Sequence, residues 1–161
     1  MSLPDCFAMS LVTLAIVVVS TTAIAADNGL ITKPSKYSVN ETIERFESAV
    51  KTRTDAGFKV FTRIDHAAAA KEAGLEMRPS TLILFGNPRL GTPVVIKTPM
   101  LGIDIPPKAL VWEDEQGRVW LTYNSAEYFY KTLYPRHGLS GSWPIEAVAK
   151  ALDEMSDQAT K

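Results

Sequence analysis

Asp65 and His66 stand side by side where the alternating stretch Phe58 to Ile64 gives way to "HAAAAKEAG". An imidazole beside a carboxylate can move a proton near neutral pH or hold a small polar ligand. The same pair also suits a plainer role, with Asp65 capping the next helix and His66 closing a local hydrogen bond. A second group lies in "FGNPRLGTP", Phe85 to Pro93. Gly86 and Gly91 allow close backbone approach. The first amides of a short helix beginning near Thr92 could attract an anion, with Arg89 close enough in sequence to assist. Pro93 contributes no amide to such a cradle. Asn87-Pro88 and Gly-Thr-Pro are turn formers in any case. Asp104 could pair with Arg89 or cap the loop at Ile105. The candidate ligand-binding residues are therefore Asp65, His66, Gly86, Asn87, Arg89, Gly91, Thr92 and Asp104. They converge only if the corner after Ile64 and the bend after Phe85 share one edge of a sheet.

Several chemistries have no residues to support them. The two histidines, His66 and His137, lack neighbours at metal-site spacing, so no metal site is expected. No haem-attachment motif, phosphate loop or Gly-x-Ser-x-Gly elbow occurs. The net charge is −1, and without Asp5 the acidic residues match the 17 basic ones. No basic surplus points to nucleic acid. The single cysteine, Cys6, lies in the N-terminal stretch.

That stretch reads as an export signal. Leu11 to Val19 is apolar apart from Thr13, and small residues ending Ala23-Ile24-Ala25 follow it. Residues 1–26 are thus assigned to a signal peptide, with an uncleaved anchor as the alternative and the only expected route to a membrane. Cleavage removes Cys6 and leaves no thiol or disulfide. Residues 27–161 form one domain, periplasmic or secreted, whose core alone must stabilise it.

The positioning elements follow from pattern. "LITKPSKYS" reads as an edge strand, because Pro34 cannot donate to a ladder. Ser38 and Glu41 have capping-box spacing, with Asn40 a competing cap. Ile43, Phe46, Ala49 and Val50 share a helical face, with Glu44, Glu47 and Lys51 mostly away from it and Gly57 as the stop. Phe58 to Ile64 alternates as a half-buried strand, placing Val60 with Ile64 and Arg63 with Phe61. Arg63 then pairs with an anion or is solvated. Thr81 to Phe85 is a central strand. Thr92 to Thr98 is a short helix with Thr92 as cap and Pro93 first, a strand being the rival. "KALVWEDEQGRVWLTYN" is a hairpin that brings Trp112 near Trp120. The aromatic set Trp112, Trp120, Tyr123, Tyr128, Phe129 and Tyr130 could wall a cofactor, form a dimer face or fill the core. Ile145 to Met155 is a final helix. The order is α+β: a mainly antiparallel sheet covered on one face by helices.

Four motifs together carry a family stamp: Ile-Asp-His-Ala at Ile64 to Ala67, Phe-Gly-Asn-Pro at Phe85 to Pro88, Gly-Thr-Pro at Gly91 to Pro93, and Asp-x-Pro at Asp104 to Pro106. Over about Tyr37 to Asn124 the chain resembles the bacterial and archaeal domain of unknown function 302. The resemblance implies a curved, TATA-binding-protein-like α+β fold and a homodimer. It implies no agreed reaction, cofactor or catalytic residue. Some members are joined to cytochrome-like domains, but this chain has no haem motif. Three functions remain open: an exported module that binds a small polar ligand or serves another protein; a structural interaction domain; and an acid-base enzyme using His66 with Asp65 or Asp104.

Overall fold

The computed structural model describes residues 28–54 and 56–161. The expected signal segment lies outside these residues. Among the described residues no helix is long and apolar enough to cross a membrane. The expectation of membrane contact through an uncleaved N-terminal segment is accordingly withdrawn.

The edge strand forms as expected. β1 (Leu30–Ser35) is outermost in a five-stranded antiparallel sheet of order β1-β5-β4-β3-β2, and Pro34 sits opposite Trp120. Ser38 then caps α1 (Val39–Lys51), its hydroxyl accepting from the Glu41 amide. The helix ends before Gly57. The Thr52 hydroxyl donates to the Ala49 carbonyl at 2.8 Å, and that of Thr54 donates to Lys51. Hydroxyls that claim helix carbonyls end the ladder early.

β2 (Lys59–Asp65) carries a bulge at Phe61: Val60 pairs with Phe85, but Thr62 pairs with Leu84. One extra residue exchanges the two faces of the strand. Strict alternation placed Val60 with Ile64. The bulge instead puts Arg63 on the face of Val60, opposite Ile83, and sends Ile64 to the other side. Arg63 there bonds the carboxylate of Glu47 on α1. Glu47 is buried by this pairing, contrary to its expected exposure. The guanidinium holds its carboxyl below the usual range, against the opposing push of burial.

α2 (His66–Glu72) follows directly and buries none of its residues. β3 (Ser80–Gly86) is an interior apolar strand, paired on both sides by β2 and β4. α3 (Pro88–Lys97) and a 3-10 turn (Pro99–Ile103) lead through a cis Ile105–Pro106 peptide to β4 (Lys108–Glu113) and β5 (Val119–Asn124). A helical stretch comes next: α4 (Ala126–Tyr128), a π turn (Phe129–Leu133) and α5 (Tyr134–Arg136). α6 (Ile145–Thr160) runs past the expected end at Met155. Ser156 and Thr160 can be buried in it because their hydroxyls return to the carbonyls of Asp153 and Ser156.

The core lies between the sheet and the pair α1 and α6. Phe46, Ile43 and Val50 of α1 and Met155 and Ala159 of α6 meet Ile83, Phe85, Val111 and Leu121. Phe46 stands edge-on to Phe85 at 5.0 Å. Lys33 ties β1 to α6 through Asp153 and Asp157, both at 2.6 Å. The fold is a single α+β domain with helices packed on one sheet face. The other face, with Leu82, Leu84, Leu110 and Trp112, points away from α1 and α6.

The β4–β5 hairpin closes on Asp114. Its carboxylate accepts from the amides of Gln116 and Arg118, from Arg118 Nε and from Trp120 Nε1. Trp120 stacks on Trp112 at 6.3 Å, as its position across the hairpin required. Desolvation pushes the Asp114 carboxyl up, but the bonds from Trp120 and Arg118 prevail and lower it to about 2. A depressed folded value means stability that is present above the unfolded value near 4 and lost as the pH falls through about 2. An Asp114→Asn variant should have a lower Tm at neutral pH. Its Tm should also fall less between pH 4 and pH 2 than that of the parent, as read by circular dichroism melts.

Candidate functional site

The two corners do not share an edge. In the β2–β3 pairing Asp65 lies opposite Thr81 and Lys59 opposite Gly86. Six residues of strand separate the ends, about 20 Å at strand rise. Asp65 and His66 therefore stand at one end of the sheet, and Gly86, Asn87, Gly91 and Thr92 at the other. The first group has a local task. Asp65 Oδ1 accepts from the Ala68 amide at 2.9 Å and starts α2. Asp65 lines an open surface groove with Lys71, Leu75, Met77 and Arg78, to which His66 does not contribute. The His66 ring forms no hydrogen bond among the described residues. An acid-base pair of His66 with Asp104 is not assembled.

The second group does assemble, though not as a cradle for an anion. α3 begins five residues earlier than expected, capped at Asn87 rather than Thr92. Asn87 is its cap: the side-chain oxygen accepts from the Arg89 amide at 2.9 Å, and the Asn87 carbonyl accepts from Leu90 and Gly91. Pro88 has no amide to offer. The first turn of α3 is thus satisfied from within, leaving none of these donors directed at a ligand. Asn87 Nδ2 also donates to the Ala56 carbonyl at 2.6 Å, tying α3 to the loop before β2. Arg89 is exposed and does not line the cleft described next.

Gly86, Asn87, Gly91 and Thr92 border one open cleft of about 290 Å³, together with Phe61, Val95 and Pro106. The Phe61 bulge contributes directly, since the ring that leaves the strand alternation becomes a wall. A Cβ at Gly91 would stand 3.6 Å from Ile105 Cδ1, and one at Gly86 would stand 3.3 Å from Pro107 Cδ. Glycine at these positions keeps the space open. The lining is apolar apart from the Asn87 amide and the Thr92 hydroxyl.

Asp104 lies beside this cleft with different partners from those expected. It takes His137 Nε2 on Oδ2 at 2.5 Å and Arg136 Nη1 on Oδ1 at 3.4 Å, and Arg89 is not involved. A carboxylate accepts and does not donate, so Nε2 carries the hydrogen. The His137 side chain is 4% exposed and that of Asp104 13%. Neither lines the cleft. The pair clamps the end of α5 to the turn before β4. Lys108 Nζ reinforces that turn, donating to the carbonyls of Asp104 and Pro106, and burial pushes its ammonium down despite the nearby Asp104 charge. His137, Arg136 and Lys108 were not legible as partners of Asp104, because 33 residues separate His137 from it and no local spacing announces the contact.

The aromatic set does not form one surface. Trp112 and Trp120 stack on the hairpin, and Tyr123 meets Ser156 in the core. Tyr130 and Tyr134 pack with Trp143 at 5.5 and 4.8 Å. Among the described residues no group of three or more potential metal ligands occurs. The arrangement can enclose a small molecule, but no buried acid, base or nucleophile faces the cleft.

Asn87→Ala removes both the cap and the donor to Ala56, and should cost about 1–2 kcal/mol in urea unfolding. Asn87→Asp keeps the cap and should recover part of that loss.

Known proteins share this architecture. A crystal structure of an uncharacterized conserved DUF302 protein from Bacillus stearothermophilus is similar, with a TM-score of 0.64 at 22% identity. It covers 82% of this chain and 98% of that one. At that identity the likeness concerns the fold. The chain is also 47% identical over 124 residues to "Fluoride-specific ion channel FluC 1" of Brucella suis biovar 1 (strain 1330), covering 76% of this chain and 46% of the relative. The same identity and length relate it to "Fluoride-specific ion channel FluC 2" of Brucella melitensis biotype 1, where 43% of the relative is covered. The chain thus spans less than half the length of these curated relatives. The family model of the domain of unknown function DUF302 matches residues 31–159, well beyond the stretch of motifs at Tyr37 to Asn124, and takes in both β1 and α6. This chain belongs to the DUF302 family.

Proposed function

We propose that this chain is an exported accessory module that holds one small, mainly apolar molecule in the cleft between β3, α3 and Pro106. The observation that carries the reading is the gathering of Gly86, Asn87, Gly91 and Thr92 around a common space of about 290 Å³. That is close to the lower end of small-molecule sites, which combine apolar walls with a few fixed polar groups. The Asn87 amide is already engaged on both sides, so the Thr92 hydroxyl is the group left to orient a ligand. A bare anion such as fluoride would need free amides or cations, and the first amides of α3 are taken. The site suits a neutral molecule better.

The accessory role draws on the curated relatives. Their matched portion is less than half of each, so the domain there is joined to at least as much other chain. Export draws on Leu11 to Val19 and the small residues that follow. Native mass spectrometry of the protein purified from its own host should show a retained small-molecule mass and an N-terminus near residue 27. Gly91→Leu should abolish the retained mass, since its side chain would fill the space beside Ile105. A parent protein that repeatedly carries no added mass defeats the binding role.

One observation favours a second reading, a protein contact through the sheet face opposite α1 and α6. Ile64 is 43% exposed there, and Met77 of the segment before β3 is 51% exposed. Such surface often marks an interaction site. Light scattering of the full chain should show association that Ile64→Glu weakens, and an unchanged monodisperse single chain argues against it.

A further inference from the structure

We infer that the cleft ligand extends past Ile105 into a second, inner chamber, and is therefore an uncharged molecule ending in a short alkyl group. This rests on the binding role proposed for the cleft and names the class of molecule it takes.

The inner chamber measures about 80 Å³ and is walled by Phe58, Phe85, Phe129, Tyr134, Leu152 and Met155. No charged side chain lines it. Tyr130 and Tyr134 are its only lining side chains with a polar group, and burial pushes both phenols up, so they stay neutral across the physiological range. A buried water needs two to four polar partners, which this lining supplies poorly. A cavity of roughly 150 Å³ admits benzene. The present one is about half that, room for the end of an alkyl chain rather than a ring.

The chamber has a specific architectural cause. In the π turn the Tyr134 amide bonds the Phe129 carbonyl, five residues back. In an α-helix residues five apart point about 140° away from each other. The wider turn lets Phe129 and Tyr134 face the same space. Such turns recur at functional sites.

Ile105 is common to both spaces. Its Cδ1 lies toward Gly91, while its backbone amide is fixed to the Leu101 carbonyl at 3.2 Å. The inference requires the Ile105 side chain, the one wall shared by both spaces, to turn aside and join them. A ligand can then place a polar group by Thr92 and an alkyl end between Phe129 and Met155.

The test uses propan-1-ol, butan-1-ol and pentan-1-ol as probes, titrated into the full chain and followed by the amide shifts of Gly91 and Thr92. Each methylene that enters the chamber should tighten binding about fourfold, until the chamber is full and the series levels off. Ala151 lines the chamber but not the cleft. Ala151→Leu should flatten the series while the cleft amides still respond. Val148→Ile offers a smaller filling of the same wall if the leucine variant does not fold. Cleft shifts that are equal for all three alcohols, or a series unchanged by the filled chamber, overturn the alkyl class and leave the cleft reading standing. No shift at the cleft amides with any alcohol overturns both.

Discussion

The antiparallel pairing of β2 with β3 is the constraint on which the rest depends. It opposes Asp65 to Thr81 and Lys59 to Gly86, so the two ends of this pair can never meet. At the first end Asp65 caps and starts α2. The cleft bordered by Gly86, Asn87, Gly91 and Thr92 lies at the second end, where β3 runs into α3 and the chain returns at Pro106. The bulge at Phe61 adds a second consequence. It rotates Arg63 onto α1 and leaves the Phe61 ring beside the cleft. One inserted residue thus links helix docking to the shape of the site.

Much of the fold was readable from local pattern. β1 as an edge, the Ser38 cap, the interior apolar strand β3 and the hairpin with stacked tryptophans each follow from periodicity or a single turn residue. Three failures have physical causes. Strict alternation cannot show a bulge, so the faces of Arg63 and Ile64 were exchanged. The end of α1 was set by the hydroxyls of Thr52 and Thr54, which compete for carbonyls more effectively than a distant glycine. α3 began at Asn87 rather than Thr92, because an asparagine followed by proline is as good a start as a threonine followed by proline. The site was legible in part. Gly86, Asn87, Gly91 and Thr92 do come together, whereas Asp65, His66, Arg89 and Asp104 do not join them. Asp104 is held by His137 and Arg136, a contact made across the fold.

The character of the site follows from how its polar groups are used. Both ends of the Asn87 amide are bonded to the protein, the first α3 amides are satisfied within the helix, and the Asp104–His137 pair does not line the cleft. What remains is shape, apolar lining and one hydroxyl. In some relatives the matched portion occupies less than half of a longer chain.

The two outermost strands differ in sequence but share an effect. Pro34 interrupts the donor row of β1, and the Phe61 bulge bends β2. Both rims are therefore poor templates for a passing strand. A unit blunted in this way can be spliced beside unrelated polypeptide during evolution without the two sheets zipping into one, which is a prerequisite for a portable building block.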